Sequence, residues 1–434
     1  DVFERDDGMR PEGPAGFYDE GGALAYNAYL RGKGYDSDNP WHDYANSGVD
    51  DDGNVLSGWF LKNSDAAANI REEDSETPYL TRRGIEFIES RGDAPWCCHL
   101  SFIKPHWPYI VPEPYAGMYG AQEFLAPVRS EAERETDHPV FRGFQDMPVS
   151  RAFSRDDVRD KVLRAYMGLI RQCDDQLGLL LDWLQETGRM EDTMIVLTSD
   201  HGDYLGDHWM GEKTFFHDAA IKVPLIVYDP SEAADCTRGT ASDALVETID
   251  LLPTFVEVAG RDPGELDHIL EGHSLLPLLR GGPAPERDFT ICEYDYSATP
   301  LAGRLGLHPA QARMFMISDL RWKMVHFESG HRPMLFDLAE DPRELVDLGD
   351  STAHEAVIAD LYSRLATWAR RPSARTTISN AALLAKRGRS AQTGVMIGIV
   401  DEDEMPPELV AKYVGRTAPD KRKRGKVPDD GPTN

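Results

Sequence analysis

The order of elements along this chain predicts an α/β fold in which a doubly wound sheet flanked by helices is followed by a smaller antiparallel α+β subdomain. Short apolar runs alternate with amphipathic helices as far as about residue 285. Beyond Gly281-Gly282-Pro283 the texture changes to short, partly alternating segments. The composition permits both units, because 434 residues that are 41% hydrophobic can bury a substantial core.

Residues 1 to about 70 are rich in Gly, Asp, Asn and Tyr with little periodicity, and read as loops laid over a core elsewhere. Tyr79 to Ser90 carries Leu80, Ile85, Phe87 and Ile88 at helical spacing and stops at Gly92. Trp96 to Ile103 reads as a buried strand, ended by the prolines of Lys104-Pro105-His106-Trp107-Pro108-Tyr109. Ser154 with Asp157 resembles a capping box and opens the longest helical pattern, through Val158, Val162, Tyr166, Ile170, Cys173, Leu177, Leu181 and Leu184 to Gly188. Its Asp174-Asp175 pair reads as a solvated face. Met194 to Thr198 and Val223 to Tyr228 read as buried parallel strands, and Thr248 to Ala259 as a helix with Pro253 in its first half. Arg313 to Ser318, Arg321 to Phe327 and Pro333 to Leu338 read as an antiparallel meander covered by the helix Glu355 to Arg370. The apolar stretch Val395 to Val400 is too short to stand alone and is expected to pack on a neighbour or another subunit.

The net charge of −29 argues against nucleic acid or an anionic membrane as a partner, and apolar runs such as Leu177 to Leu181 are too short to span a bilayer. The basic cluster from Lys421 to Lys426 reads as a solvated tail. Five cysteines without a C-x-x-C pair indicate neither a zinc knuckle nor a disulfide framework, so a reducing cytoplasm is the expected compartment.

The chemistry gathers at the end of the Met194 to Thr198 strand. Asp200 and His201 place a carboxylate and an imidazole side by side where a sheet opens to solvent, which suits a divalent cation such as Mn²⁺, Zn²⁺ or Ca²⁺. On the dipeptide alone, a capping turn with a surface histidine accounts for it equally well. Lys213 follows on an aromatic-flanked loop, near enough in sequence to line the same pocket and reach an anionic substrate oxygen. His208 and His217 lie close by and read as structural.

The run Thr198-Ser199-Asp200-His201-Gly202-Asp203-Tyr204-Leu205-Gly206-Asp207-His208, with Lys213 and Ile221 to Val227, resembles the second signature block of the sulfatases and phosphonate monoester hydrolases of the alkaline phosphatase superfamily. Pro105-His106-Trp107-Pro108 resembles the family's Pro-His-x-Pro turn, and Asp250 to Thr254, Gly272 to Leu279 and Leu335-Phe336-Asp337-Leu338 with Asp341-Pro342 and Glu344-Leu345 resemble later parts of the same pattern. Thr376 to Ser379 through Ile397-Gly398 look most like the phosphonate monoester hydrolase branch, whose C-terminal extension helps build an oligomer.

The resemblance implies an alkaline-phosphatase-like α/β sandwich over residues 1–285 with its N-terminal part missing, an antiparallel α+β subdomain over 286–370, and an oligomerising tail over 371–434. It implies Asp200 and His201 as metal ligands, and Lys213 and His106 as catalytic, substrate-binding residues that contact the transferred group or assist the leaving oxygen. The substrate would be a small anionic sulfate, phosphonate or phosphate ester, and the assembly a homo-oligomer.

The family's nucleophile motif, C/S-x-P-x-R with the cysteine converted to formylglycine, is absent, and so is the metal carboxylate that precedes it. Because the chain starts at Asp1, the expectation is a copy lacking roughly its first βαβ portion, with formylglycine or serine supplied from that portion. The alternative is a non-catalytic relative that keeps a metal or anion site.

Overall fold

The computed structural model describes residues 25–50, 52–120, 124–266, 270–370, 384–385, 387, 398–404 and 407–410. The Lys421 to Lys426 cluster and the Thr376 to Ser379 resemblance lie outside them. The first described segment departs from the loops expected there. Helix α1 (Ala25–Gly32) and the antiparallel sheet of β1 (Ser47–Val49), β2 (Val55–Ser57) and β3 (Ala67–Ala68) enclose a core of Tyr26, Leu30, Trp41, Trp59 and Phe60. Widely spaced aromatics build this core, so hydrophobic periodicity does not show it.

Helix α2 (Glu76–Ser90) closes that core with Tyr79 and Leu80. The expected strand from Trp96 to Ile103 does not form. Leu100 and Phe102 pack inward against the same core, but the segment has no ladder partner among the described residues. A short helix, α3 (Glu131–Arg134), precedes the long α4 (Asp156–Glu186). The capping box expected at Ser154 is absent. Arg155 is the N-cap, and the Ser154 hydroxyl instead donates to the Ser150 carbonyl at 2.8 Å. Asp174 is exposed, while Asp175 accepts from the Tyr115 hydroxyl at 2.9 Å and pairs with Arg171.

Strands β4 (Ile195–Thr198) and β5 (Leu225–Tyr228) correct the parallel assignment. They pair antiparallel, with Ile195 opposite Tyr228 and Thr198 opposite Leu225. An apolar run reports that a strand meets apolar neighbours but carries no information on direction. The excursion from Ser199 to Pro224 brings the chain back beside β4 by a loop and the one-turn helix α5 (Asp218–Ile221). Neither strand is fully covered, and Leu197 and Ile226 are exposed. After α6 (Leu251–Val258) come four antiparallel strands in the order β6 (Thr290–Asp295), β7 (Arg313–Ser318), β8 (Trp322–Phe327) and β9 (Met334–Asp337).

This sheet positions the site, and period-two alternation explains how. Met314, Met316, Val325, Phe327, Met334 and Phe336 face a core shared with Phe141, Tyr204, Phe215 and Phe216. Phe315, Ile317, Met324 and Leu335 face Leu361 and Leu365 of α7 (Glu355–Ala369). Phe215 and Phe216 follow Lys213 by two and three residues, so the lysine loop is anchored on the C-terminal sheet. The described end of the 395–400 stretch packs on its own chain: Leu61 N–H donates to the Ile399 carbonyl at 3.0 Å, and Ile399 and Val400 are buried. No described helix is long and apolar enough to cross a membrane.

Candidate active site

Where β4 ends, the backbone arranges the Asp-His pair through local hydrogen bonds. The Ser199 hydroxyl donates to the His201 carbonyl at 2.7 Å, and His201 N–H donates to Asp200 Oδ1 at 3.0 Å. His201 Nδ1 lies 2.7 Å from the Gly202 carbonyl, which can only accept, so that nitrogen carries the proton. Nε2 then presents its lone pair 3.5 Å from Asp200 Oδ2. A carboxylate oxygen facing an imidazole lone pair, with the other ring nitrogen fixed by a backbone carbonyl, is the donor arrangement of a metal-binding histidine.

Gly202 locks this loop in place. Its N–H donates to the Ala220 carbonyl of α5 at 2.7 Å, and a Cβ at this position would sit 2.0 Å from the Ala219 carbonyl oxygen. Gly202→Ala is therefore expected to cost about 1–3 kcal/mol through forced backbone movement. An unchanged urea midpoint would show that the loop accommodates the methyl group.

His106 reaches the same place from the other side. Its turn is held by Lys104, a buried ammonium that donates to the Pro108 carbonyl at 2.8 Å and to Asn46 Oδ1 at 3.2 Å, and lies 3.7 Å from Glu76 Oε2. The His106 and His201 rings stand 6.1 Å apart, and Lys213 Nζ donates to His106 Nε2 at 3.2 Å. Burial, aided by the charge of Lys213, pushes the His106 imidazole down to about 4, so it is neutral near pH 7. The structure thus brings Asp200, His201, His106 and Lys213 together.

The sequence did not reveal what lies beneath them. Glu212 is buried in a left-handed conformation (φ 65°), with Oε2 3.6 Å from Lys213 Nζ and Oε1 3.8 Å from His106 Nε2. Burial pushes its carboxyl up. Asp203 is also enclosed, accepting from the Tyr109 hydroxyl and from Leu205 N–H at 3.1 Å. Burial and the neighbouring Glu212 raise it to about 7. The only available signal was adjacency, since Glu212 precedes Lys213 and Tyr109 closes the proline turn.

The described cysteines are all unpaired, and three of them are held as thiols by burial: Cys98 is pushed up to about 11, Cys173 to about 12, and Cys292 upward as well. None of these three is an activated nucleophile. His208 and His217 are buried. With Glu133 they form a group that could hold a cation, separate from the Asp200 and His201 pair.

Residues 27–261 match the family model described as Sulfatase, and residues 206–371 match that of the N-sulphoglucosamine sulphohydrolase C-terminal region. The chain is 30% identical over 321 residues to the multifunctional alkaline phosphatase superfamily protein PehA of Trinickia caryophylli, covering 70% of this chain and 61% of that protein. It is 28% identical over 291 residues to the choline-sulfatase of Rhizobium meliloti, covering 65% of this chain and 52% of that protein. The solved phosphonate monoester hydrolase SpPMH from Silicibacter pomeroyi superposes with a TM-score of 0.70 at 28% identity, covering 81% of this chain and 69% of that one.

The fold is thus alkaline-phosphatase-like α/β, with the four-stranded antiparallel sheet toward its C-terminal end. The chain belongs to the sulfatase family of the alkaline phosphatase superfamily. It spans between about half and three-fifths of the length of these two curated relatives.

Proposed function

We propose that this chain forms the metal-binding and leaving-group side of the active site in a metal-dependent hydrolase of sulfate or phosphonate/phosphate esters. Turnover runs through a covalent intermediate on a nucleophile, formylglycine or serine, that lies outside these 434 residues. One observation carries the reading: Lys213 and His106, 3.2 Å apart, converge with His201, whose free Nε2 faces Asp200.

Asp200 and His201 would hold a divalent cation (Ca²⁺, Mn²⁺ or Zn²⁺), which would supply Lewis-acid charge to the tetrahedral anion. Lys213 stabilises the negative charge that develops on the non-bridging or leaving oxygens. His106, neutral and hydrogen-bonded to that ammonium, lets the pair present a mobile proton to the leaving oxygen. Glu212 lies behind the pair, its carboxylate 3.6 Å from the Lys213 ammonium.

The expected result for the intact protein is chelator-sensitive hydrolysis of p-nitrophenyl sulfate, a phosphate mono- or diester, or a phenylphosphonate ester. Absent or chelator-insensitive turnover across that panel would overturn the reading. Asp200→Ala is expected to lower metal occupancy measured by elemental analysis, and an unchanged content would remove Asp200 from the ligand set.

A further inference from the structure

We propose that Glu133, His208 and His217 form a second, structural site for a divalent cation of zinc type, buried between the lysine loop and the C-terminal sheet. One possible ligand atom from each residue lies within 4.8 Å of the other two. Two imidazoles and a carboxylate are a donor set that Zn²⁺ takes readily.

Each donor is fixed from behind. Glu133 Oε2 accepts from Ser130 N–H at 2.7 Å, while Oε1 lies 2.7 Å from His208 Nδ1. The backbone of His208 is held in a left-handed conformation (φ 51°), its N–H donating to the Val128 carbonyl at 2.7 Å. His217 is held by the Tyr204 hydroxyl, which accepts from His217 N–H at 3.1 Å and lies 2.9 Å from Nδ1.

The independent observation is His217 Nε2. The residue is 1% exposed and this nitrogen has no hydrogen-bond partner. Interior polar atoms are nearly always satisfied, so a fully buried, unpartnered ring nitrogen on a residue that belongs to a donor cluster points to a missing partner.

Lys323, the ammonium that would oppose a cation here, is itself neutralised by Glu344 at 2.7 Å and Asp218 at 2.6 Å. A cleft of about 470 Å³ has Glu133, Phe141, Phe336 and Glu344 in its wall. The His208 and His217 rings stack in parallel at 3.7 Å, so ligation requires them to turn about their Cβ–Cγ bonds and open a wedge toward Glu133.

The test separates this site from the one proposed above by using an Asp200→Ala/His201→Ala double variant of the full chain. After equilibration with zinc and gel filtration it is expected to keep one equivalent by elemental analysis, and its melting temperature should rise on zinc addition. Adding His217→Gln should abolish both effects. Should that variant misfold, Glu133→Gln in the same background, titrated with Co²⁺ and followed by its visible absorption, should lose the tetrahedral spectrum that the double variant gives. A double variant that retains no zinc and shows no melting shift overturns the proposal and leaves the function assigned to Asp200 and His201 untouched.

Discussion

Lys213→Ala in the intact protein is expected to lower kcat/KM by about 10²–10³-fold, the usual loss when one preorganised donor to a developing oxyanion is removed. The geometry makes this lysine more than a surface charge. Its ammonium meets His106 Nε2 at 3.2 Å, and Glu212 lies 3.6 Å from it on the protein side. The mutation therefore removes the positive charge and leaves a buried carboxyl facing the substrate anion without its cation. Leaving groups distinguish the two roles open to the pair. If Lys213 and His106 assist the departing oxygen, the loss should deepen from p-nitrophenyl to phenyl esters, because poorer leaving groups need more charge stabilisation. A uniform loss would place Lys213 on a non-bridging oxygen, and a change below about tenfold would remove it from the transition state altogether.

Which of these residues were legible in the sequence follows from the range of the forces involved. Asp200 and His201 are adjacent on one strand end, and Lys213 follows on a loop whose aromatic neighbours, Phe215 and Phe216, announce an anchored segment. His106 is distant in sequence, and the proline-flanked turn and the family resemblance are what point to it. Strand direction was not legible, because an apolar run such as Ile195 to Thr198 is equally suited to either pairing. Glu212 and Asp203 were not legible either. A carboxylate looks solvated in sequence until tertiary packing buries it, and only the fold brings Tyr109 and the left-handed turn at Glu212 beneath the site. The aromatic core around Trp59 escaped for a similar reason, since Tyr26, Trp41, Trp59 and Tyr79 have no common period and meet only when α1, α2 and the small sheet assemble.

Lys323→Ala is expected to destabilise the protein by about 3–5 kcal/mol, because it leaves a buried carboxylate without its cation. Lys323 on β8 is 1% exposed and meets Asp218 at 2.6 Å and Glu344 at 2.7 Å, while Glu344 also accepts from Asp218 N–H at 2.7 Å. The cluster ties the C-terminal sheet to the first turn of α5, five residues beyond Lys213, so its loss should also loosen the loop that carries the lysine. Burial already pushes the Glu344 carboxyl above its ordinary 4.5, and removal of the ammonium should push it further. A carboxyl whose folded value exceeds its unfolded one binds more protons when folded, so it lowers stability as pH rises through that window. The deficit of Lys323→Ala should accordingly be largest near neutral pH and shrink as pH falls toward 4.5. Adding Glu344→Gln to that variant should recover part of the loss by removing the unpaired charge. Urea midpoints of wild type, single and double variants across that range give the measurement. A loss below about 1 kcal/mol at neutral pH, the worth of a solvent-exposed ion pair, would mean that water reaches Glu344 and that apolar packing alone holds the sheet to the site.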